Sequence, residues 1–304
     1  MKTPVVFIIF KRPDTTEKVF EVIRQVQPPK LLVIADGPRA DQPGEAEKCA
    51  ATRAIIDQVD WNCEVLKNYA DVNMGLKSRV STGLDWVFSL VEDAIILEDD
   101  CSPDPSFFRF CEELLEKYRY DQRVWMICGS NLLGEYKSHL QSYCFSYHSH
   151  CWGWATWKRA WQHYDVNMKL WSNPEIQSRI RDVVGNEQQY DTYKKQFDRV
   201  FSGELNTSWA LPWLCLRLSQ SALSIIPAIN LISNIGFNPE GSNTRFLDDS
   251  RANLPLQSMS FPLREPAGFA RDRGYELGRY QRHVLDNKKL GMRISRKIKR
   301  ILFK

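Results

Sequence analysis

Residues 94–100 read Ala-Ile-Ile-Leu-Glu-Asp-Asp, an apolar run that leads directly into three acidic side chains. A continuous apolar run, rather than one that alternates with polar residues, is typical of a strand buried on both faces of a parallel sheet. Ligands of open α/β sheets bind beyond the carboxyl ends of the strands. The stretch therefore predicts a buried strand that carries acidic groups to a binding crevice.

Earlier strands are predicted at residues 5–10 (Val-Val-Phe-Ile-Ile-Phe) and 31–35 (Leu-Leu-Val-Ile-Ala), with a weaker strand near 64–66. Segments with a helical pattern separate them, and this alternation indicates a parallel sheet covered by helices on both faces. The predicted fold class is therefore α/β, with a Rossmann-like, mostly parallel sheet.

The composition is that of an ordinary globular protein, with 43% hydrophobic and 26% charged residues among 304. Disordered and fibrous chains are thereby excluded. The longest early apolar run is far shorter than the roughly 20 residues that cross a bilayer, so we expect neither a signal peptide nor a membrane-spanning helix. Eight widely spaced cysteines without a Cys-x-x-Cys pair indicate reduced thiols and a cytoplasmic location.

The positive net charge of +4 is concentrated in the C-terminal tail. Residues 288–304 hold eight Lys or Arg and no acid, so the remainder has 33 bases against 37 acids, and a nucleic-acid-binding body is disfavoured. Leu290, Ile294, Ile298 and Ile301 recur at helical spacing. This predicts a basic amphipathic tail that attaches to the anionic cytoplasmic face of a membrane. A solvated tail is the alternative.

Three groups of polar residues follow the predicted strands, namely Asp36, residues 73–77 and the pair Asp99–Asp100. Because the carboxyl ends of parallel strands meet at one edge of a sheet, we expect these groups to surround one crevice. Within it, Gly75 lets a phosphate approach the backbone and Lys77 supplies a positive charge. The alternative is a glycine turn beside a solvated lysine.

Adjacent carboxylates at the end of a buried strand are costly to ionise unless a cation compensates them. A divalent metal is the economical explanation, and oxygen ligands suit Mn²⁺ or Mg²⁺. Successive side chains of a strand point to opposite faces, so we expect one of Asp99 and Asp100 to hold the metal and the other a sugar or ribose hydroxyl. The alternative is that these acids only cap or solubilise the loop before Pro103.

Seven of the ten tryptophans lie between residues 152 and 213, which predicts a Trp-rich lobe. Trp152 and Trp154 flank Gly153, and their flat faces suit the C–H face of a sugar. Packing in the core is the alternative for both rings.

Two parts of the chain resemble known enzymes. Residues 96–108, Ile-Leu-Glu-Asp-Asp-Cys-Ser-Pro-Asp-Pro-Ser-Phe-Phe, resemble the acidic metal motif of GT-A glycosyltransferases, particularly its Glu-Asp-Asp form in the N-acetylglucosaminyltransferase I family. Residues 149–161 and 230–236 resemble the bacterial nucleotide-diphospho-sugar transferases termed HlpA-like or hemolytic-protein-like. The second resemblance spans about residues 4–245.

The resemblance implies a GT-A fold whose nucleotide-sugar-binding part is residues 1–130 and whose acceptor or catalytic part, in the same domain, is residues 131–250. An extension at 251–287 and the tail at 288–304 would follow. The implied activity is metal-dependent transfer of a hexose or N-acetylhexosamine from a nucleotide diphosphate to a glycan or lipid-linked acceptor, with inversion.

The same resemblance implies roles for individual residues. Arg12 and Asp36 would contact the nucleoside, and Asp100 would be the direct ligand of Mn²⁺ or Mg²⁺. The remaining donor-binding positions would be Asn73, Gly75, Leu76, Lys77, Glu98 and Asp99. The acceptor sugar would meet Trp152, Gly153, Trp154 and Trp209.

An inverting transferase needs a carboxylate to take the proton of the acceptor hydroxyl. Glu204 is the candidate base, because Asn206 and Ala210 stand where relatives are expected to have an acid. Two other functions stay open. One is a sugar-phosphate nucleotidyltransferase, although the turn at residues 10–13 lacks the glycines of a phosphate loop. The other is a protein of the same fold that binds glycans or nucleotide sugars without turnover.

Overall fold

The candidate site lies at the sheet edge where the carboxyl ends of the strands carry polar residues. The computed structural model describes residues 1–237, 249, 251–282, 284 and 285. Within them the elements are β1 (Val5–Ile9), α1 (Pro13–Val26), β2 (Lys30–Ala35), α2 (Glu45–Ala54), β3 (Glu64–Tyr69), α3 (Leu76–Leu90), β4 (Asp93–Glu98), β5 (Cys101–Pro103), α4 (Ser106–Lys117), β6 (Val124–Cys128), β7 (Tyr143–Ser146), β8 (Trp154–Trp157), α5 (Lys158–Trp161), α6 (Pro174–Val184), α7 (Glu187–Phe201), α8 (Ala210–Ser219), β9 (Leu223–Pro227) and β10 (Ile232–Asn234).

Eight of these strands form one sheet in the order β3-β2-β1-β4-β8-β6-β9-β7. The first four run parallel, and β6 and β9 are also parallel to each other. β8 lies antiparallel between β4 and β6, while β7 closes the far edge antiparallel to β9. Strands from before and after residue 130 therefore share a mixed, mostly parallel sheet.

Alternate side chains of the central strands enter two apolar layers. Val5, Phe7 and Ile9 of β1 pack with α1 and α4, whereas Val6 and Ile8 pack with α3, α5 and α8. Helices therefore cover both faces of the sheet, and this explains why β1 is apolar at every position. The predicted α/β fold class is confirmed.

A small second sheet extends the acidic end of β4. Its two strands, β5 and β10, are antiparallel, and Cys101 lies opposite Asn234. This pairing brings residues 230–237 against Asp100, because the backbone N–H of Ile235 donates to the Asp100 carbonyl at 2.8 Å.

No helix in the described part of the chain is long and apolar enough to cross a membrane. The predicted basic tail, residues 288–304, lies outside the described residues, and its attachment to a membrane stays a prediction. Residues 238–244 also lie outside them.

Candidate functional site

The site lies at the carboxyl ends of three neighbouring strands. Because β1 lies between β2 and β4, Arg12 after β1 stands between Asp36 after β2 and Asp99 after β4. Two strand spacings separate the ends of β2 and β4, about 10 Å. The predicted convergence of Asp36 and the Asp99–Asp100 pair on one edge is thus what the strand order produces.

Asp36 organises the loop that precedes α3. Its buried carboxylate accepts hydrogen bonds from the backbone N–H groups of Gly37 at 2.9 Å, Met74 at 2.8 Å and Gly75 at 3.1 Å. The side chain of Asn73 donates to it as well, at 3.1 Å. The carboxylate of Asp36 therefore binds the protein's own loop, and the contact with a nucleoside that the resemblance implies stays a prediction.

The loop ends at an open helix N-terminus. Gly75 precedes α3 with a φ of +78°, a conformation that favours glycine, and a Cβ there would meet nothing within 4 Å. The N-cap residue Gly75 has no side chain that could cap the helix, so first-turn N–H groups can bind an anion. The partly exposed Lys77 lies in that first turn. Leu76 beside it packs partly into the core.

Arg12 joins the two aspartates after β4. Its Nη2 lies 2.6 Å from Asp99 Oδ1 and 3.0 Å from Asp100 Oδ2. The backbone N–H of Phe10 also donates to Asp99, at 3.3 Å. The guanidinium of Arg12 therefore already compensates part of the charge of this acidic pair, where the sequence predicts a divalent metal. The contact of Arg12 with a nucleoside stays a prediction.

Burial changes the protonation of the acidic strand end. Desolvation, together with the negative charges of Asp100 and Asp99, raises the pKa of Glu98 to about 8. Desolvation likewise raises the pKa of Asp99 to about 6, although Arg12 opposes the change. The Glu98 carboxyl is therefore protonated more readily than that of an exposed glutamate.

The oxygen ligands at this site fit a metal ion whose other ligands are phosphate and water. Among the described residues no group of three or more His, Cys, Asp or Glu side chains could hold an ion. Asp100 Oδ1, the oxygen turned away from Arg12, has long contacts with Asn234 Nδ2 at 3.4 Å and Cys101 Sγ at 3.5 Å. Because Mg²⁺ often binds through one or two carboxylates plus phosphates and waters, Asp100 suits a cation that arrives with a phosphorylated ligand.

Gly236 has a structural role that the sequence analysis did not assign. A Cβ at this position would overlap Asp100 Oδ2 and approach Arg12 Nη1. Only glycine lets the segment after β10 lie directly against the ion pair. Its place just after a short polar-ended strand is the signal that could have identified it.

Of the predicted sugar-binding tryptophans, Trp152 is the one with partly exposed surface. It lies near-perpendicular to the ring of Phe237, 5.8 Å between centroids. Trp154 is 0% exposed and stacks on the buried Trp209 at 5.6 Å. The expectation that these two rings bind an acceptor is corrected, because they form part of the core. Gly153, which lies between Trp152 and Trp154 in the chain, adopts a positive φ and packs against Ile232.

Among the described residues, no hydrogen bond or ion pair joins Glu204 to Asp99 or Asp100. Glu204 occupies the exposed loop between α7 and α8, and its Oε1 accepts from Arg199 Nε at 2.8 Å. Its role as a base stays a prediction.

Replacement of Asp36 by alanine tests the loop directly. Asp36→Ala removes the acceptor of three backbone N–H groups and one side-chain amide, so we expect the free energy of unfolding to fall by about 2–4 kcal/mol. Urea denaturation measures this change, with Asp41→Ala at an exposed position as the matched control. Equal midpoints for the two variants would contradict the role of Asp36.

Comparison with known proteins finds a match only among solved structures. No protein-family model matches the chain, and no curated protein does. A cytidylyltransferase from Leptospira borgpetersenii is 10% identical, with a TM-score of 0.34 over 54% of this chain and 64% of that chain. Mouse xyloside xylosyltransferase 1 in its apo form is 9% identical, with a TM-score of 0.37 over 74% of this chain and 84% of that chain.

The galactosyltransferase LgtC, in complex with donor and acceptor sugar analogues, is 10% identical, with a TM-score of 0.32 over 54% of this chain and 60% of that chain. This chain thus spans less than two thirds of LgtC and of the cytidylyltransferase. With TM-scores below 0.5, these likenesses identify no family and assign no activity.

Proposed function

We propose that the chain is a glycosyltransferase that moves a sugar from a nucleotide diphosphate to a glycan or lipid-linked acceptor. The observation that carries this proposal is one shared edge of the sheet. There Asp36 holds an uncapped helix N-terminus in place, and Arg12 bridges Asp99 and Asp100. Such an edge offers positive groups for a diphosphate and carboxyl groups for sugar hydroxyls.

In this proposal the diphosphate meets the first turn of α3. Backbone N–H groups after Gly75 and the ammonium of Lys77 would bind its oxygens. Asn73 and Leu76 would line the same pocket. Glu98 and Asp99 would face the hydroxyls of the sugar or ribose, and Arg12 would contribute a positive charge beside them.

Asp100 would hold Mn²⁺ or Mg²⁺ in the complex with the donor. The ion would offset negative charge on the leaving diphosphate. Because Arg12 already pairs with Asp100, we propose that the ion binds together with the nucleotide rather than before it.

On the acceptor side, Trp152 would pack on a sugar ring and Glu204 would take the proton of the acceptor hydroxyl. The hydroxyl oxygen would form its bond to the sugar carbon on the face opposite the diphosphate, whose bond to that carbon breaks, and this single displacement inverts the configuration. A second candidate function is binding of a glycan or nucleotide sugar without turnover. It is favoured by the position of Glu204, which pairs with Arg199 on an exposed loop.

A panel of nucleotide sugars and nucleoside diphosphates tests the proposal. With Mn²⁺ and a matching donor at 100 times its Kd, we expect unfolding to cost about 2.7 kcal/mol more. Thermal unfolding measures the shift, and release of nucleoside diphosphate then separates an enzyme from a binding protein. No shift with any member of the panel would refute nucleotide-sugar use.

A further inference from the structure

Arg217 is a buried cation without an acidic partner. It is the one charged residue in α8, whose sequence is Ala-Leu-Pro-Trp-Leu-Cys-Leu-Arg-Leu-Ser, and it is 1% exposed. Its Nη2 donates to Ser149 Oγ at 2.6 Å and its Nη1 to Ser224 Oγ, while its Nε has no hydrogen-bond partner. No carboxylate of the described residues forms an ion pair with it. Burial of a charge without an opposite charge nearby is strongly unfavourable.

A second arginine lies close to it. Arg279, in the helical stretch 273–282, donates from Nη2 to His150 Nε2 at 2.8 Å, and its own Nε is buried without a hydrogen-bond partner. It too forms no ion pair with a carboxylate in the described part of the chain. We call Arg217, Arg279, Ser149 and His150 the basic cluster.

Burial and nearby arginines lower the pKa of the neighbouring His148. His148 is 1% exposed, and its pKa lies well below its usual range because burial disfavours the charged ring, as do Arg279, Arg271 and Arg217. Among the described residues, Arg271 is the only one of these three arginines with an acidic partner, Glu276. The described side chains of this region therefore carry more positive than negative charge.

Aromatic side chains connect the basic cluster to the candidate site. The ring of His150 lies 5.6 Å from that of Trp152, which in turn contacts Phe237. Phe237 follows Gly236, whose backbone lies against the Asp100–Arg12 pair. His150, Trp152 and Arg279 are all partly exposed. A ligand that contacts Trp152 would thus lie near His150 of the basic cluster and near Phe237, which follows Gly236 in the chain.

We propose that the basic cluster binds an oxyanion of the acceptor, a phosphoryl or carboxylate group, while Trp152 contacts the adjoining sugar. This inference rests on the proposed function, since it names the chemistry of the acceptor. A guanidinium presents paired N–H donors that match both kinds of oxyanion. The diphosphate of the donor would bind at the N-terminus of α3. The basic cluster would therefore bind a different anion.

Calorimetric titration of the full chain at constant ionic strength tests the inference. The probes are methyl phosphate and methyl glucuronide, with uncharged methyl glucoside as the reference. Arg279→Gln removes one guanidinium, and Arg217→Lys keeps the buried charge but loses the planar pair of donors. Arg273→Gln makes the same charge change at an exposed position of the same helical stretch and is the matched control.

We expect one of the two anions to bind the parent and Arg273→Gln equally, and to bind Arg279→Gln and Arg217→Lys at least about 10-fold more weakly, the worth of one charge-assisted hydrogen bond. The preferred anion then tells a phosphorylated acceptor from one with an acidic sugar. The inference is overturned if the parent binds neither anion better than methyl glucoside, or if all four proteins bind equally.

A repeat of the titration with saturating nucleoside diphosphate separates acceptor from donor. Binding of both ligands together supports an acceptor subsite, whereas competition would assign the basic cluster to the donor and overturn the inference. The first titration contains no nucleotide. The protein could therefore bind the anion through Arg279 and yet bind no nucleotide. That result would contradict the proposed function but support the anion site.

Discussion

Glu204→Gln is expected to leave nucleotide-sugar binding unchanged and to slow sugar transfer by roughly 10² to 10⁴, the usual contribution of a general base. The substitution keeps the shape of the side chain and removes its ability to accept a proton. Calorimetry measures donor binding, and release of nucleoside diphosphate in the presence of acceptor measures transfer.

The ion pair of Glu204 with Arg199 provides the control. Arg199→Gln breaks the same surface pair but retains the carboxylate, so it should transfer sugar at the parental rate. An unchanged rate in Glu204→Gln would move the base elsewhere. Asp198 and Asp165 are the next candidates, although Asp198 Oδ1 already accepts from the indole N–H of Trp171 at 3.0 Å.

Asp100→Asn is expected to abolish the part of nucleoside diphosphate binding that depends on Mn²⁺, while the fold survives. The amide preserves the shape of the side chain but removes one negative charge, and a hard divalent cation depends on that charge. Arg12 keeps its shorter bond to Asp99, so the strand end remains paired. Titration of nucleoside diphosphate with and without Mn²⁺ gives the two affinities to compare.

For Asp100→Asn the two affinities should coincide, whereas the parent should bind more tightly with Mn²⁺. Asp57→Asn makes the same chemical change at an exposed ion pair with Lys67 and should behave like the parent. A response to Mn²⁺ that is equal in Asp100→Asn and the parent would remove Asp100 as a metal ligand. Its proposed place in the donor complex would fall with it.

The parallel half of the sheet could be predicted closely from the sequence. The apolar run at 94–97 lies within β4, and those at 5–10 and 31–35 differ from β1 and β2 by one residue at an end. Burial on both faces leaves a continuous apolar pattern, which is a local property of the chain. The antiparallel insertion of β8 between β4 and β6 could not be predicted, because a short buried strand looks the same in either direction.

The side-chain partners at the site were mostly beyond prediction. Asp36 looked like a free ligand group after a strand, yet it binds the loop before α3. Trp154 and Trp209 looked like sugar-binding rings, yet they stack on each other in the core. Each pairing joins residues far apart in the chain, and residue type and spacing alone do not say which distant groups will meet.

Buried parallel strands that end in polar residues at one edge of an α/β sheet can be recognised from the sequence, since periodicity and turn residues indicate burial and chain reversal locally. Which charges are compensated at that edge depends on the three-dimensional fold. The fold places Arg12, 87 positions before Asp99, on the acidic pair, and it buries Arg217 without an acidic partner among the described residues. Electrostatic and hydrogen-bond energies depend on distances of a few ångströms, and strand order and helix packing set those distances.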